Sequence, residues 1–260
     1  MSAPGLTLVH VRAAGRDTAV AVHRARAPRV GVLLFVHGAG CDRHVADPLA
    51  EALPELDVIA PDLPGRGGTP GAPCASVAAL AAFVGGVLDA LDAPRAVVFG
   101  HSLGGGVALE LAATRPLAGL VLASTGARLR VHPSVLEAMR VQASSSTESA
   151  SLLGWSPGAD PARIAAIDAH ARAVPPATSL ADWLAADAFD RLRALDAIDA
   201  PALVLAGADD PLTPPKYAQH LAATLRGARL EIFPGAGHML PLDQAPRIAP
   251  RVRDFVAGLA

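Results

Sequence analysis

The sequence predicts an α/β fold: a mostly parallel, twisted sheet with helices on both faces and a helical insertion late in the chain. Three observations predict it. Short apolar runs recur between stretches of helical composition, and strands alternating with helices imply right-handed crossovers and parallel pairing. Two alternating segments at the start have no helix between them, which calls for an antiparallel beginning. Loops rich in Gly, Asp and His follow several of the runs, at the carboxyl ends of strands where such a sheet keeps its functional residues.

Taken in order, residues 6–12 and 18–24 alternate apolar and polar side chains around Gly15 and read as two strands. Residues 30–36 are an unbroken apolar run ending in His37-Gly38-Ala39-Gly40, a strand buried on both faces that enters a loop. Residues 57–60 give a short strand before the turn-rich Asp62-Leu63-Pro64-Gly65-Arg66-Gly67. Residues 76–91 have helical composition, with Ser76 at the N-cap. A strand at 95–99, a helix at 103–114 and a strand at 117–123 follow. Residues 127–196 interrupt the alternation; rich in Ala, Leu, Arg and Asp and broken by Pro157, Pro161, Pro175 and Pro176, they read as several short helices. A strand at 201–206, a helix at 215–225, a strand at 229–233 and a closing helix at 244–259 complete the chain. One core (1–126 and 197–260) with residues 127–196 inserted accommodates all 260 residues.

A chain that is 52% hydrophobic and 18% charged can bury a large core and is not disordered. Its net charge of −2, without a block of one sign, lacks the clustered basic surface that nucleic-acid binding needs. The longest apolar run is far too short to span a bilayer, and residues 1–12 carry no signal-peptide stretch, so a cytoplasmic protein without membrane partners is expected. Cys41 and Cys74 stand in neither metal-ligand nor redox spacing and read as inert thiols. No metal and no cofactor is expected.

The chemistry concentrates at Gly100-His101-Ser102-Leu103-Gly104, which matches the pattern of a serine held on a sharp strand-to-helix turn. Glycines are needed there because strand and helix approach too closely for side chains. A serine hydroxyl is a poor nucleophile until a base takes its proton. His238, in the loop Gly235-Ala236-Gly237-His238 after a strand, is the best placed of nine histidines; His101, next to Ser102, reads as structural. The base needs a carboxylate to fix its tautomer, and the strand ending at Ala206 runs into Asp209-Asp210, either of which serves on spacing alone. Two backbone donors for an oxyanion would come from Leu103, directly after the serine, and most simply from Ala39.

These motifs together resemble the α/β-hydrolase superfamily over nearly the whole chain. Asp62 to Gly67 is similar to the family's aspartate-proline-glycine-histidine-glycine loop, with Arg66 where histidine is usual. Gly207 to Pro214 is similar to the segment that holds the catalytic aspartate, and that register implies Asp210 rather than Asp209. Gly235 to His238 resembles the histidine loop, and Asp243 stands where a glutamate often sits. The resemblance implies a hydrolase with a Ser102–Asp210–His238 triad acting on a small ester or lactone through an acyl-enzyme. Alternatives on the same fold are a non-catalytic ligand-binding protein, an acyltransferase or a carbon–carbon bond hydrolase. Ser102 at the elbow separates the chain from relatives with an aspartate nucleophile.

Residues 127–196 then correspond to a lid. Its apolar side chains include Leu136, Met139, Leu152, Leu153 and the two tryptophans, Trp155 and Trp183, either of which is a candidate for the pocket wall. Arg128, Arg130 and His132 form a basic cluster that reads either as a substrate-carboxylate site or as a solvated surface paired with Glu137.

Overall fold

The computed structural model describes residues 6–26, 28–145 and 154–259. Eight strands form one sheet in the order β1-β2-β4-β3-β5-β6-β7-β8. The strands are β1 (Leu6–Ala13), β2 (Arg16–His23), β3 (Gly31–Val36), β4 (Leu56–Pro61), β5 (Val97–His101), β6 (Gly119–Ala123), β7 (Ala202–Gly207) and β8 (Arg229–Phe233). β2 pairs antiparallel with both β1 and β4, and every other pairing is parallel. The antiparallel start and parallel remainder are those the sequence predicts, with β2 beginning two residues earlier.

The helices are α1 (Asp47–Glu51), α2 (Val77–Ala90), α3 (Leu103–Ala112), α4 (Pro133–Ser145), α5 (Pro161–Ala173), α6 (Pro176–Ala188), α7 (Pro215–Thr224), α8 (Leu240–Asp243) and α9 (Ala245–Ala257). The unbroken apolar runs follow from burial on both faces. Leu34, Val36 and Val98 pack toward α2 and α3, whereas Leu33, Phe35, Val97 and Phe99 pack toward α1, α8 and α9. The Phe35 and Phe99 rings, opposite one another in adjacent strands, stack with centroids 4.9 Å apart. Ser76 caps α2 by accepting from the Ala79 N–H at 3.2 Å, as its position in the sequence predicts.

Three short pieces are missing from the sequence reading: the turn of 3₁₀-helix at Arg43–Ala46, α1 directly after it, and α8. The first two had a local signal, since Asp42 accepts from the His44 N–H and Pro48 stands in the first turn of α1. The insertion holds α4, α5 and α6 between β6 and β7. Its ends pair with one another at Arg128 and Asp190, and the Arg191 N–H donates to the Ala127 carbonyl at 2.7 Å. Leu152 and Leu153 lie outside the described residues.

Strand order places the site. β3 is flanked by β4 on one side and β5 on the other, so the chain changes direction across it. A crevice opens at the carboxyl ends of strands at such a switch point. The loops leaving β3 and β5 carry Ala39 and Ser102 there.

Candidate active site

Ser102 occupies the turn between β5 and α3 with φ 55° and ψ −118°, a backbone conformation that side-chain-bearing residues avoid. Hydrogen bonds hold it: its N–H donates to the Ala123 carbonyl at 3.0 Å, and the Thr125 hydroxyl donates to its carbonyl at 2.7 Å. A Cβ on Gly100 would lie 2.3 Å from the Gly104 oxygen, and one on Gly104 would lie 2.1 Å from the Val36 oxygen. The glycines flanking the serine are therefore required by the close passage of strand and helix.

His238 and Asp210 meet in the loops after β8 and β7. His238 Nδ1 lies 2.8 Å from Asp210 Oδ2. The carboxylate also accepts from the Leu212 N–H at 2.8 Å, the Thr213 N–H at 2.9 Å and the Thr213 hydroxyl at 2.7 Å. An acceptor-only carboxylate facing Nδ1 requires the ring hydrogen to sit on that atom, which leaves Nε2 with its lone pair in the neutral ring. Burial alone would push the Asp210 carboxyl up, but the hydrogen bond and charge of His238 outweigh it and hold it below the usual carboxylate range. Asp209 is exposed, and only its backbone N–H reaches the histidine loop, donating to the Ala236 carbonyl at 2.9 Å.

The His238 ring bonds to Asp210 and Thr213 and not to Ser102; contacts between nucleophile and base are often long before substrate binds. His101, next to Ser102 in the chain, ties the histidine loop to this turn: its Nε2 donates to the His238 carbonyl at 3.0 Å, and its ring centroid lies 5.1 Å from that of His238. Burial and the neighbouring His238 push the His101 pKa down to about 3, so it stays neutral. Residues between α4 and α5 of the insertion support the histidine loop. The His238 N–H donates to the Gly154 carbonyl and the Gly237 N–H to the Ser156 hydroxyl, both at 2.7 Å, while Asp243 accepts from the Ser156 N–H at 2.8 Å.

The loop after β3 is tied down group by group. The Leu63 N–H donates to His37 Nε2 at 3.1 Å, which puts the ring hydrogen on Nδ1, where it donates to the Gly38 carbonyl at 2.9 Å. The Gly40 N–H donates to Asp182 at 3.0 Å, and Arg66 donates to the Cys41 carbonyl at 2.8 Å. The N–H groups of Ala39 and Leu103 have no acceptor among the described residues. Both residues line a cavity of about 150 Å³ together with Ser102, Trp183, Arg130, Val131, Leu212, Thr213 and Tyr217.

Of the residues considered for substrate contact, Trp183, Arg130 and His132 line this cavity. Trp155 does not: it packs against the apolar cluster on the α1 and α9 face of the sheet. Arg128 faces an adjoining cleft with His220 and lies 3.4 Å from Asp190. Glu137 pairs with Arg140, not with the basic cluster, because one helical turn brings those two together. His37, Arg66, Asp182 and Thr213 are the residues whose part at the site sequence analysis missed. A short-range signal existed only for Thr213, three residues after Asp210, where a carboxylate readily caps its own turn. Among the described residues, Asp42, His44 and His170 offer donors close enough to share a cation. The two imidazoles are stacked with centroids 3.8 Å apart, and both Nδ1 atoms face Asp42 Oδ2.

Known proteins share this architecture. The chain is 33% identical over 241 residues to the pimeloyl-[acyl-carrier protein] methyl ester esterase of Neisseria meningitidis serogroup B, covering 86% of this chain and 92% of that one. It is 34% identical over 251 residues to the enzyme of the same description from Aromatoleum aromaticum, covering 87% and 98%. Among solved structures, a thermophilic esterase from Thermogutta terrifontis superposes with a TM-score of 0.82 at 27% identity, covering 97% of this chain and 99% of that one. The enol-lactonase of Burkholderia xenovorans LB400 shares the fold with a TM-score of 0.86 at 24% identity, covering 95% and 99%. A model of the alpha/beta hydrolase family matches residues 33–251. The chain belongs to the alpha/beta hydrolase family.

Proposed function

We propose that the protein hydrolyses small carboxylic esters or lactones through an acyl-enzyme formed on Ser102. The observation that carries this reading is the 2.8 Å contact between His238 Nδ1 and Asp210, made beside a strained Ser102 that opens onto a cavity with two unpaired amides. In this mechanism Ser102 Oγ attacks the carbonyl carbon while His238 Nε2 takes its proton, and Asp210 stabilises the imidazolium. The N–H groups of Ala39 and Leu103 receive the oxyanion. Collapse expels the alcohol, protonated by His238, and water repeats the cycle in reverse to release the acid. In a lactone the alcohol remains attached to the acyl chain.

The cavity, at about 150 Å³, is small beside the roughly 300–1,000 Å³ usual for ligand pockets, which favours short acyl groups. Arg130 in its wall suits an acyl chain ending in a carboxylate, and the relatives described as methyl ester esterases add methyl esters of dicarboxylic acids to the substrates worth testing. Residues 127–196 act in this reading as a lid, since Trp183, Val131 and Arg130 all come from that segment.

A fluorophosphonate probe should label the wild type at Ser102, and a panel of p-nitrophenyl esters, methyl esters and lactones should give turnover that falls as the acyl group grows. Ser102→Ala should abolish labelling and lower turnover by several orders of magnitude, with a residue of about 10³-fold over water from the amides and binding. Wild-type turnover by the Ser102→Ala protein would refute the mechanism.

A further inference from the structure

The Arg66–Asp182 pair is the deepest ion pair among the described residues, with side chains 1% and 0% exposed. It joins two parts of the chain far apart in sequence: Arg66 lies in the loop after β4, and Asp182 on α6 of the insertion. The guanidinium grips the carboxylate with two nitrogens, at 2.7 and 2.8 Å. Two further donors go to backbone, Nε to the Leu63 carbonyl at 3.1 Å and Nη1 also to the Cys41 carbonyl at 2.8 Å. Asp182 Oδ2 in turn accepts from the Gly40 N–H at 3.0 Å.

Burying such a pair is a poor route to stability, because apolar side chains of similar volume usually do as well or better. What an apolar pair cannot do is hold backbone polar groups at fixed positions. Here the groups held are the Gly40 N–H and the Cys41 carbonyl, directly after Ala39, while His37 holds the Gly38 carbonyl just before it. The bonds thus bracket the one amide between them. The residue after Asp182 is Trp183, which walls the cavity. One carboxylate therefore fixes both the loop and the helix that face Ser102.

We propose that Arg66 and Asp182 are positioning residues: their ion pair presents the Ala39 N–H to the reaction oxyanion and makes that presentation depend on the seating of α6. The proposal rests on the serine-hydrolase reading above. It predicts that stability and catalysis separate. Asp182→Asn keeps an acceptor for Gly40 but leaves Arg66 without a counter-charge, and should lower both the melting temperature and kcat. The double variant Arg66→Met/Asp182→Leu removes both charges together and should recover the melting temperature, yet leave kcat on p-nitrophenyl acetate about 10- to 100-fold below wild type, towards the 10²–10³-fold seen when an oxyanion donor is removed outright. KM should stay within about threefold, and affinity for an alkylboronic acid, which forms a tetrahedral adduct with the serine, should fall in step with kcat.

Recovery of kcat and boronate affinity together with stability in the double variant would overturn the proposal, as would a loss confined to KM. If the double variant does not fold, Asp182→Asn decides by the same split between kcat and KM. Failure of the wild type to react with fluorophosphonate would instead remove the serine-hydrolase reading itself, so the two failures are distinguishable.

Discussion

At the scale of single residues, Asp210 shows how much a side chain's work depends on its company. Two backbone amides and a hydroxyl point at it besides His238, so the carboxylate is held in place before it holds the imidazole. Asp210→Asn should lower turnover by about 10⁴-fold by favouring the wrong histidine tautomer, whereas Asp209→Asn, at an exposed position, should leave it near wild type. Thr213→Val removes one donor worth on the order of 1 kcal/mol and should cost up to about tenfold. Steady-state kinetics on p-nitrophenyl acetate checks all three, and a larger loss from Asp209→Asn than from Asp210→Asn would reverse the assignment. Spacing left Asp209 and Asp210 both open and only the family resemblance favoured Asp210, while Ser102 and His238 were legible as candidates because each sits in a short motif just past a strand. Arg66 and Asp182 were not: they are 116 residues apart, and nothing local in either segment records that they meet.

At the scale of elements, long apolar runs and capped helices could be read, while pieces of one turn could not, since four or five residues carry too little periodicity. The 3₁₀ turn at Arg43–Ala46 matters nonetheless, because it faces α5 of the insertion. There Asp42 Oδ2 lies 3.0 Å from His44 Nδ1 and 3.2 Å from His170 Nδ1. The His44 pKa is raised above 6.5, first by its hydrogen bond to Asp42, against burial, and further by the charges of Asp42 and Asp47, with Arg43 opposing. Burial would push Asp42 up, but the hydrogen bonds and charge of His44 and the charge of His170 bring it down to about 2. A group with a raised folded-state pKa lends stability that is complete below its unfolded value and disappears as pH rises through the folded one. A depressed carboxylate lends stability above its unfolded value that disappears as pH falls through the folded one. Both contributions are therefore present between roughly pH 4 and 6.5. His44→Gln should lower the urea midpoint at pH 5.5 and do so less at pH 9; an equal effect at both would show that charge is not its source.

For the whole molecule, the insertion was visible as a break in the strand–helix alternation; it leaves the carboxyl end of β6, closes on itself at Arg128 and Asp190, and returns to the amino end of β7. What the sequence left open was which tryptophan faces inward, because that depends on how three helices settle on the core and not on the pattern within any of them. The structure puts Trp183 in the cavity wall beside Ala39 and Leu103 and packs Trp155 against the opposite apolar cluster. The difference arises from α6: Asp182 is pulled down to Gly40 and Arg66, and its neighbour is carried over the cavity. If the proposed lid excludes water from the acyl group and strengthens the oxyanion contacts, truncating the wall should act through the acyl chain and not through the reacting centre. Trp183→Ala should therefore raise KM for butyryl and longer p-nitrophenyl esters more than for the acetyl ester, while reaction with a small fluorophosphonate stays near the wild-type rate. Trp155→Ala should leave the chain-length profile unchanged and lower the melting temperature instead, because a partly buried aromatic lost from a packed cluster costs up to about 3–5 kcal/mol. A Trp183→Ala enzyme with the wild-type chain-length profile would mean that the insertion packs beside the site without shaping what enters it.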